Sequence, residues 1–289
     1  MSTTVLAASS IRSRCPDAAR QHAERHEAEI AVLRGLGTLG VGPLNRDTVP
    51  ERAEADRSRQ IAALIYTSGT IGNPKGVMLT HRYLLFSARI MGAQRNLADK
   101  ASCVLPISHI VGFSGILIAS LMAGATVHLV PCFAPAALVS AIVNDGITLM
   151  FGVPATYQRL LEHKAFAGIE KLPRGKLRRL TVAGAPLDVA LKSRVEIEFG
   201  LPLSNGYGIT ECAPAIAGAR AEAPRSDDAV GSLITGIEAR LVTPAGGAVA
   251  PGEVGELQCA ALMSCAAITE TPKRPQRRSM LMAGSTLAI

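Results

Sequence analysis

Within ten positions of one another, the run YTSGTIGNPKGVMLTH from Tyr66 to His81 places three glycines (Gly69, Gly72, Gly76), three hydroxyls (Thr67, Ser68, Thr70) and Lys75. Backbone N–H groups freed by glycine, hydroxyl donors and one full positive charge are what a phosphate needs, so the composition is that of an anion cradle. By composition alone the same loop also fits a surface turn. It is not the phosphate loop G-x-x-x-x-G-K-[ST], because Pro74 precedes Lys75 and Gly76 follows it.

Three further segments carry chemistry-bearing residues in order along the chain. LPISHIVGF, 105–113, holds His109 in an apolar setting, where a lone histidine is more often a core residue, but its place in a P-x-x-H-x-x-G pattern points toward function. AGAPL, 183–187, with Gly184 and Ala185, reads by itself only as a strand-to-helix turn. NGYGITE, 205–211, combines Asn205, Gly206, Tyr207 and Gly208 with Thr210 and the carboxylate of Glu211; one carboxylate shared with phosphate oxygens suits Mg²⁺.

Together these motifs closely resemble those of the adenylate-forming (AMP-binding) superfamily, the acyl-CoA synthetases, peptide-synthetase adenylation domains and luciferases. T-S-G-T-x-G-x-P-K-G is its first signature, with Ile71 here where a hydroxyl residue is usual. The resemblance implies that Thr67, Ser68, Gly69, Thr70, Gly72 and Lys75 hold the β- and γ-phosphates of ATP. It implies Gly184, Ala185, Asn205, Gly206, Tyr207 and Gly208 around adenine, Thr210 at phosphate, Glu211 on Mg²⁺, and His109 beside the acyl pocket. Lys75, His109, Thr210 and Glu211 are then the catalytic set. The implied reaction has two halves: a substrate carboxylate attacks the α-phosphate of ATP and expels pyrophosphate, and coenzyme A or another thiol captures the mixed anhydride. A chain lacking its other parts and retaining at most nucleotide binding is the alternative expectation.

Composition narrows the partners. The chain has 289 residues, 48% of them hydrophobic and 18% charged, which excludes a disordered protein. Trp is absent and aromatics make up 3%, leaving little for a platform that stacks on bases. The net charge of +7 includes +3 from Lys273, Arg274, Arg277, Arg278 and Glu270, so the remainder is only mildly basic. Nucleic acid is therefore not an expected partner. The six cysteines form neither a C-x-x-C pair nor a zinc spacing, and the N-terminal MSTTVLAASSIRSR has no signal-peptide pattern, so a reduced, cytoplasmic setting is expected. Ile110 to Val130 is long enough to span a bilayer, but its sequence reads better as a buried helix, closed at Gly124, followed by a buried strand at 126–130.

The elements that must position these residues follow from the pattern. Residues 16–35 are charged and helix-forming, and 1–60 as a whole reads as a helical and polar N-terminal segment. From Ile61, apolar runs at 61–66, 101–106, 126–130, 147–152 and 179–184 alternate with helix-like segments at 80–95, 111–123, 154–163 and 186–199. That alternation predicts an α/β core over 61–223, with parallel strands and crossover helices. IEARLV (237–242) and VGELQC, joined by a Gly/Pro-rich turn, predict an antiparallel hairpin opening a β-rich subdomain over 224–259. Residues 260–289 show no credible strand or amphipathic period. The resemblance covers about residues 30–259, and the family's Y-x-x-T-G-D segment, hinge and lysine-bearing C-terminal domain do not follow. Read across codon boundaries, residues 259–289 can encode a string ending NTGD, so a reading-frame change near Cys259 is expected to have replaced the native continuation.

Overall fold

The computed structural model describes residues 5–7, 30–33, 39–40, 54–56, 59–67, 75–130, 132–212, 214–220, 223–243, 245–250, 252–261 and 267–270. The chain divides into two units, Met1–Ala53 and Glu54–Ile289. In the first, β1 (Val5–Ala7), β2 (Ile30–Leu33) and β3 (Leu39–Gly40) form a three-stranded sheet in that order. The expected helix over 16–35 therefore gives way to a strand at its end: IAVL combines β-branched and apolar residues, which suit a sheet better than a charged helix. Its remainder lies outside the described residues.

The second unit opens on a hairpin. The predicted strand at 61–66 is β4 (Ile61–Thr67), and β5 (Lys75–Thr80) folds back antiparallel on it, pairing Thr67 with Lys75 and Tyr66 with Gly76. The sequence reads as one loop segment running to a helix near Thr80, with no second strand between them. KGVMLT instead forms a strand because Val77 and Leu79 are wholly buried on one face of it. The helix then starts where expected: α1 (His81–Gly92) is capped by Thr80, whose Oγ1 accepts the Tyr83 N–H at 3.2 Å.

Seven strands form the main sheet. β6 (Lys100–Cys103), β7 (Thr126–Leu129), β8 (Leu149–Gly152), β9 (Arg179–Ala183) and β10 (Leu203–Gly208) are parallel; β11 (Ala215–Gly218) and β12 (Ser232–Leu233) add antiparallel edges. The spatial order is β12-β11-β10-β9-β8-β6-β7. β7 is thus an edge strand with two exposed residues, so the 126–130 run is not the buried strand its apolar composition predicts. Between β6 and β7 the chain forms a π-helical segment, Val111–Ile118, that tightens into α2 (Ala119–Met122). Among the described residues no helix is long and apolar enough to cross a membrane.

The helical segment Pro135–Ser140 (α3), continued as a π turn over Ala141–Asp145, was not read from the sequence; Pro135 sits at its first turn, where proline costs no hydrogen bond. α4 (Pro154–Phe166) and α5 (Val189–Phe199) complete the crossovers, the latter capped by Asp188 through the Ala190 and Leu191 N–H groups. They pack on one face of the sheet, where Met150, Leu180, Val182 and Leu203 meet Tyr157, Leu160, Val195 and Phe199 in the main core. Along β9 the other face alternates with this one: Leu180 and Val182 are buried, whereas Arg179, Thr181 and Ala183 are half-buried.

β13 (Ile237–Val242) and β14 (Glu256–Ala261) pair antiparallel over six positions, the hairpin expected of IEARLV and VGELQC. In the segment read as strandless, β15 (Ala267–Glu270) pairs antiparallel with β5. The free edge of β5 offers an unpaired row of backbone groups, and an edge accepts extended chain whatever its side chains. Residues 271–289 lie outside the described set.

Candidate active site

The half-buried face of the sheet is the wall of a cavity of about 430 Å³, within the size range of small-molecule sites. β8, β9 and β10 supply one wall, the C-terminal end of α1 and the start of the π-helical segment the other. Of the residues singled out from the sequence, His109, Gly184, Asn205, Gly206, Tyr207, Gly208 and Thr210 all line it. They are separated by up to about a hundred positions in sequence, and the parallel register of β9 and β10, with Asn205 opposite Val182 and Gly206 opposite Ala183, brings them level.

Two glycines are dictated by geometry. Gly184 leaves β9 at φ 87°, a left-handed backbone that turns the chain over the cavity. At Gly208, where the β10–β11 register slips, a Cβ would stand 1.6 Å from the carbonyl oxygen of Pro214. Asn205, besides lining the cavity, anchors a loop. Its side-chain amide donates to the Asp228 carbonyl at 2.6 Å and its backbone carbonyl accepts from Ala219, tying down the loop between β11 and β12.

His109 follows Pro106 in a turn closed by its own N–H to the Pro106 carbonyl, and its Nδ1 accepts the Val111 N–H at 3.2 Å. An accepting Nδ1 puts the ring proton on Nε2. Burial lowers the imidazole pKa from its usual 6.5, so the ring is a neutral donor near pH 7. A ¹H–¹⁵N titration is expected to place the His109 midpoint below 6.5; a midpoint at or above that value would contradict this environment.

Thr210 is buried and begins the short 3₁₀ turn Thr210–Cys212, which carries Glu211. Tyr83 of α1 donates its hydroxyl to the Glu211 carbonyl at 2.7 Å, and β5 packs against the same turn. The β5 strand of the hairpin is thereby placed beside the turn that carries Glu211. Thr67 and Lys75 face each other across that hairpin, the Thr67 hydroxyl 3.5 Å from the Lys75 carbonyl. Lys75, Thr67, Ala185 and Glu211 are not among the cavity-lining residues. Ser68, Gly69, Thr70 and Gly72 lie outside the described residues. Cys212 and Cys259 on β14 bring their sulfurs to 3.6 Å; hydrogen bonding from Cys212 outweighs burial and lowers the Cys259 thiol to about 7.

Among the described residues no cluster of three His, Cys, Asp or Glu side chains forms a self-sufficient metal site. Glu211 and Thr210, consecutive in the chain, are oxygen donors of the kind that Mg²⁺ takes alongside nucleotide phosphates.

Arg95 and Arg179, both lining the cavity, escaped the sequence reading. The alternation of RLTVA along β9 is a signal for Arg179, since positions 179, 181 and 183 share a face. Nothing comparable marks Arg95.

Comparison with known proteins gives the family and the fold. The chain is 34% identical to feruloyl-CoA synthase of Amycolatopsis sp over 200 residues, 68% of this chain and 40% of that protein. It is 31% identical to 4-coumarate--CoA ligase 1 of Arabidopsis thaliana over 209 residues, again 68% of this chain and 37% of the relative. Among solved structures, apo MatB from Rhodopseudomonas palustris superposes with a TM-score of 0.71 at 23% identity, covering 87% of this chain and 50% of that one, a likeness of fold. O-succinylbenzoate Coenzyme A synthetase (MenE) from Bacillus subtilis, solved with AMP, gives 0.65 at 26% identity, covering 73% and 43%. The chain thus spans about 40% of the length of the curated relatives it matches. The family description "AMP-binding enzyme" matches residues 3–261, beginning earlier than the sequence motifs alone suggest, and with that match the chain belongs to the AMP-binding enzyme family.

Proposed function

We propose that this site activates a carboxylic acid with ATP, forming an acyl adenylate and pyrophosphate, and passes the acyl group to the thiol of coenzyme A with release of AMP. The observation that carries this reading is the single cavity that joins His109 to Gly184 and the 205–210 segment. The two curated relatives named above are CoA ligases by name, which supports the acceptor.

In this reading Tyr207, Gly184 and Ala185 flank adenine, while Thr67, Ser68, Gly69, Thr70, Gly72 and Lys75 take the outer phosphates. Mg²⁺, held by Glu211 and phosphate oxygens, would offset negative charge as the carboxylate approaches the α-phosphate. His109, neutral with its proton on Nε2, donates to the acid or the α-phosphate without adding a charge that would need desolvating. No protein nucleophile takes part; the protein's contribution is positioning and electrostatics. The chain acts as a cytoplasmic protein with free thiols.

The test supplies the full chain with ATP, Mg²⁺, hydroxylamine and a panel of fatty, aromatic and dicarboxylic acids. Pyrophosphate release and hydroxamate formation, both dependent on the acid, are expected. Saturable ATP binding with no pyrophosphate from any acid would select the alternative, a chain that only binds nucleotide. Failure of both would remove the site assignment.

A further inference from the structure

The inner end of the cavity carries positive charge that activation of a carboxylate does not use. Arg179, Thr181 and Ala183 line it from one face of β9, and Arg179 lies four residues from Ala183, about 13 Å along a strand. The arginine therefore stands at the end remote from Gly184 and Tyr207.

Arg95 reaches the same region from the turn after α1. Its Nη1 donates to the Ile116 carbonyl at 3.1 Å and the Ser120 hydroxyl at 2.8 Å, its Nη2 donates to the Gly115 carbonyl at 2.6 Å, and its Cζ lies 4.8 Å from the centre of the Phe151 ring. Phe151 is opposite Thr181, the middle of the three cavity-facing residues of β9, and Arg179 is near enough to act on the Arg95 charge. Every one of these partners is neutral. Three bonds use three of the five N–H groups of the guanidinium and leave two.

The carboxylate nearest in the chain, Asp99, is engaged by both nitrogens of the Arg178 fork, by Thr148 and by the Asn96 N–H. Burial and the neighbouring Arg179 lower the Arg95 pKa to about 10 against a smaller opposing pull from Asp99, which makes no hydrogen bond to it, so Arg95 remains a cation near pH 7. A neutral alkyl or aryl tail in this space would desolvate that charge with nothing in return. A carboxylate would meet N–H donors with charge of the opposite sign, the pairing for which arginine is best shaped.

We propose that the acid taken by this cavity is a dicarboxylic acid: one carboxylate is presented at the His109 end and the second is held by Arg95 and Arg179. The inference rests on the acid-activating reading above for the role of the first carboxylate.

The experiment measures binding rather than turnover, by isothermal titration of the full chain with matched ligands. Adipic, suberic and azelaic acids are compared with the ω-hydroxy and methyl-ended acids of the same lengths, and AMP is titrated separately. At least one diacid is expected to bind roughly tenfold tighter than both its hydroxy and its methyl counterparts. That advantage should vanish in Arg179→Leu, which leaves the three Arg95 bonds to the π-helical segment and α2 in place, with AMP affinity unchanged. Arg95→Lys, which retains the charge but not the fork, should keep part of it. Equal or tighter binding of the methyl- or hydroxy-ended acids, or a preference that survives Arg179→Leu, would overturn the proposal. So would AMP binding with no acid bound, which leaves the nucleotide assignment standing. Loss of AMP binding with the diacid preference intact would instead strike the adenylating reading alone.

Discussion

Replacing Asp99 with alanine is expected to lower the unfolding free energy by about 3 kcal/mol, at the lower end of the range for breaking a buried ion pair. The carboxylate is only 2% exposed, and it gathers Arg178, the Thr148 hydroxyl and the Asn96 N–H from three separate segments. Truncation takes the carboxylate from all three, leaving Arg178 only the Gln94 carbonyl and the Thr148 hydroxyl only a longer bond to the Lys100 carbonyl. Arg178, 40% exposed, can turn to water, which is why the loss falls at the low end. The pH dependence has a definite sign. Burial alone would raise the Asp99 pKa, but hydrogen bonds from Arg178, Asn96 and Thr148 outweigh it and hold the carboxyl below its ordinary 3.8. Its contribution is therefore fully present above that value and is lost as pH falls through the lowered folded value. Urea denaturation of wild type and Asp99→Ala should accordingly differ at pH 7 and converge in strong acid. A constant gap down to pH 2 would show that the carboxylate's charge is not what stabilises this junction.

Gly208→Ala is expected to do the greatest damage to nucleotide binding relative to the atoms added. One methyl group placed 1.6 Å from the Pro214 carbonyl oxygen meets backbone, not a side chain that can swing away. The β10–β11 pair must then open at its register slip, and that strand end is the one that delivers Tyr207 and Thr210 to the cavity. A destabilisation of about 3 kcal/mol is expected, together with at least a tenfold loss of affinity for ATP. The control lies two residues away: a Cβ on Gly206 comes no nearer than 3.7 Å to the Ala217 carbonyl. Urea denaturation of Gly206→Ala and Gly208→Ala should separate the two. Equal stabilities would show that the close approach of Pro214 is not required.

The sequence was informative where local chemistry decides the outcome. Thr80 caps α1 because a hydroxyl one position before a helix satisfies an amide at its start, and the runs at 101–103, 149–152 and 179–183 are strands of the parallel sheet. Gly184 and the 205–210 segment share a cavity, as motifs expected to meet one ligand should. What escaped was set by pairing between distant segments. The Lys75–Thr80 strand is apolar enough to read as the lead-in to a helix until β4 is placed beside it. The edge position of β7 depends on sheet order, which composition does not carry. Arg95 acquires its place only because carbonyls of the π-helical segment at Gly115 and Ile116 face it, and VGFSGILI reads as an ordinary buried helix.

Alternate residues of β9 answer to different demands: Leu180 and Val182 to the packed helices, Arg179, Thr181 and Ala183 to whatever enters the cavity. Because neighbouring codons serve separate masters, selection can alter the ligand without passing through an unfolded ancestor. Substitution at 179, 181 and 183 can then retune what the cavity admits while Leu180 and Val182 keep the core packed.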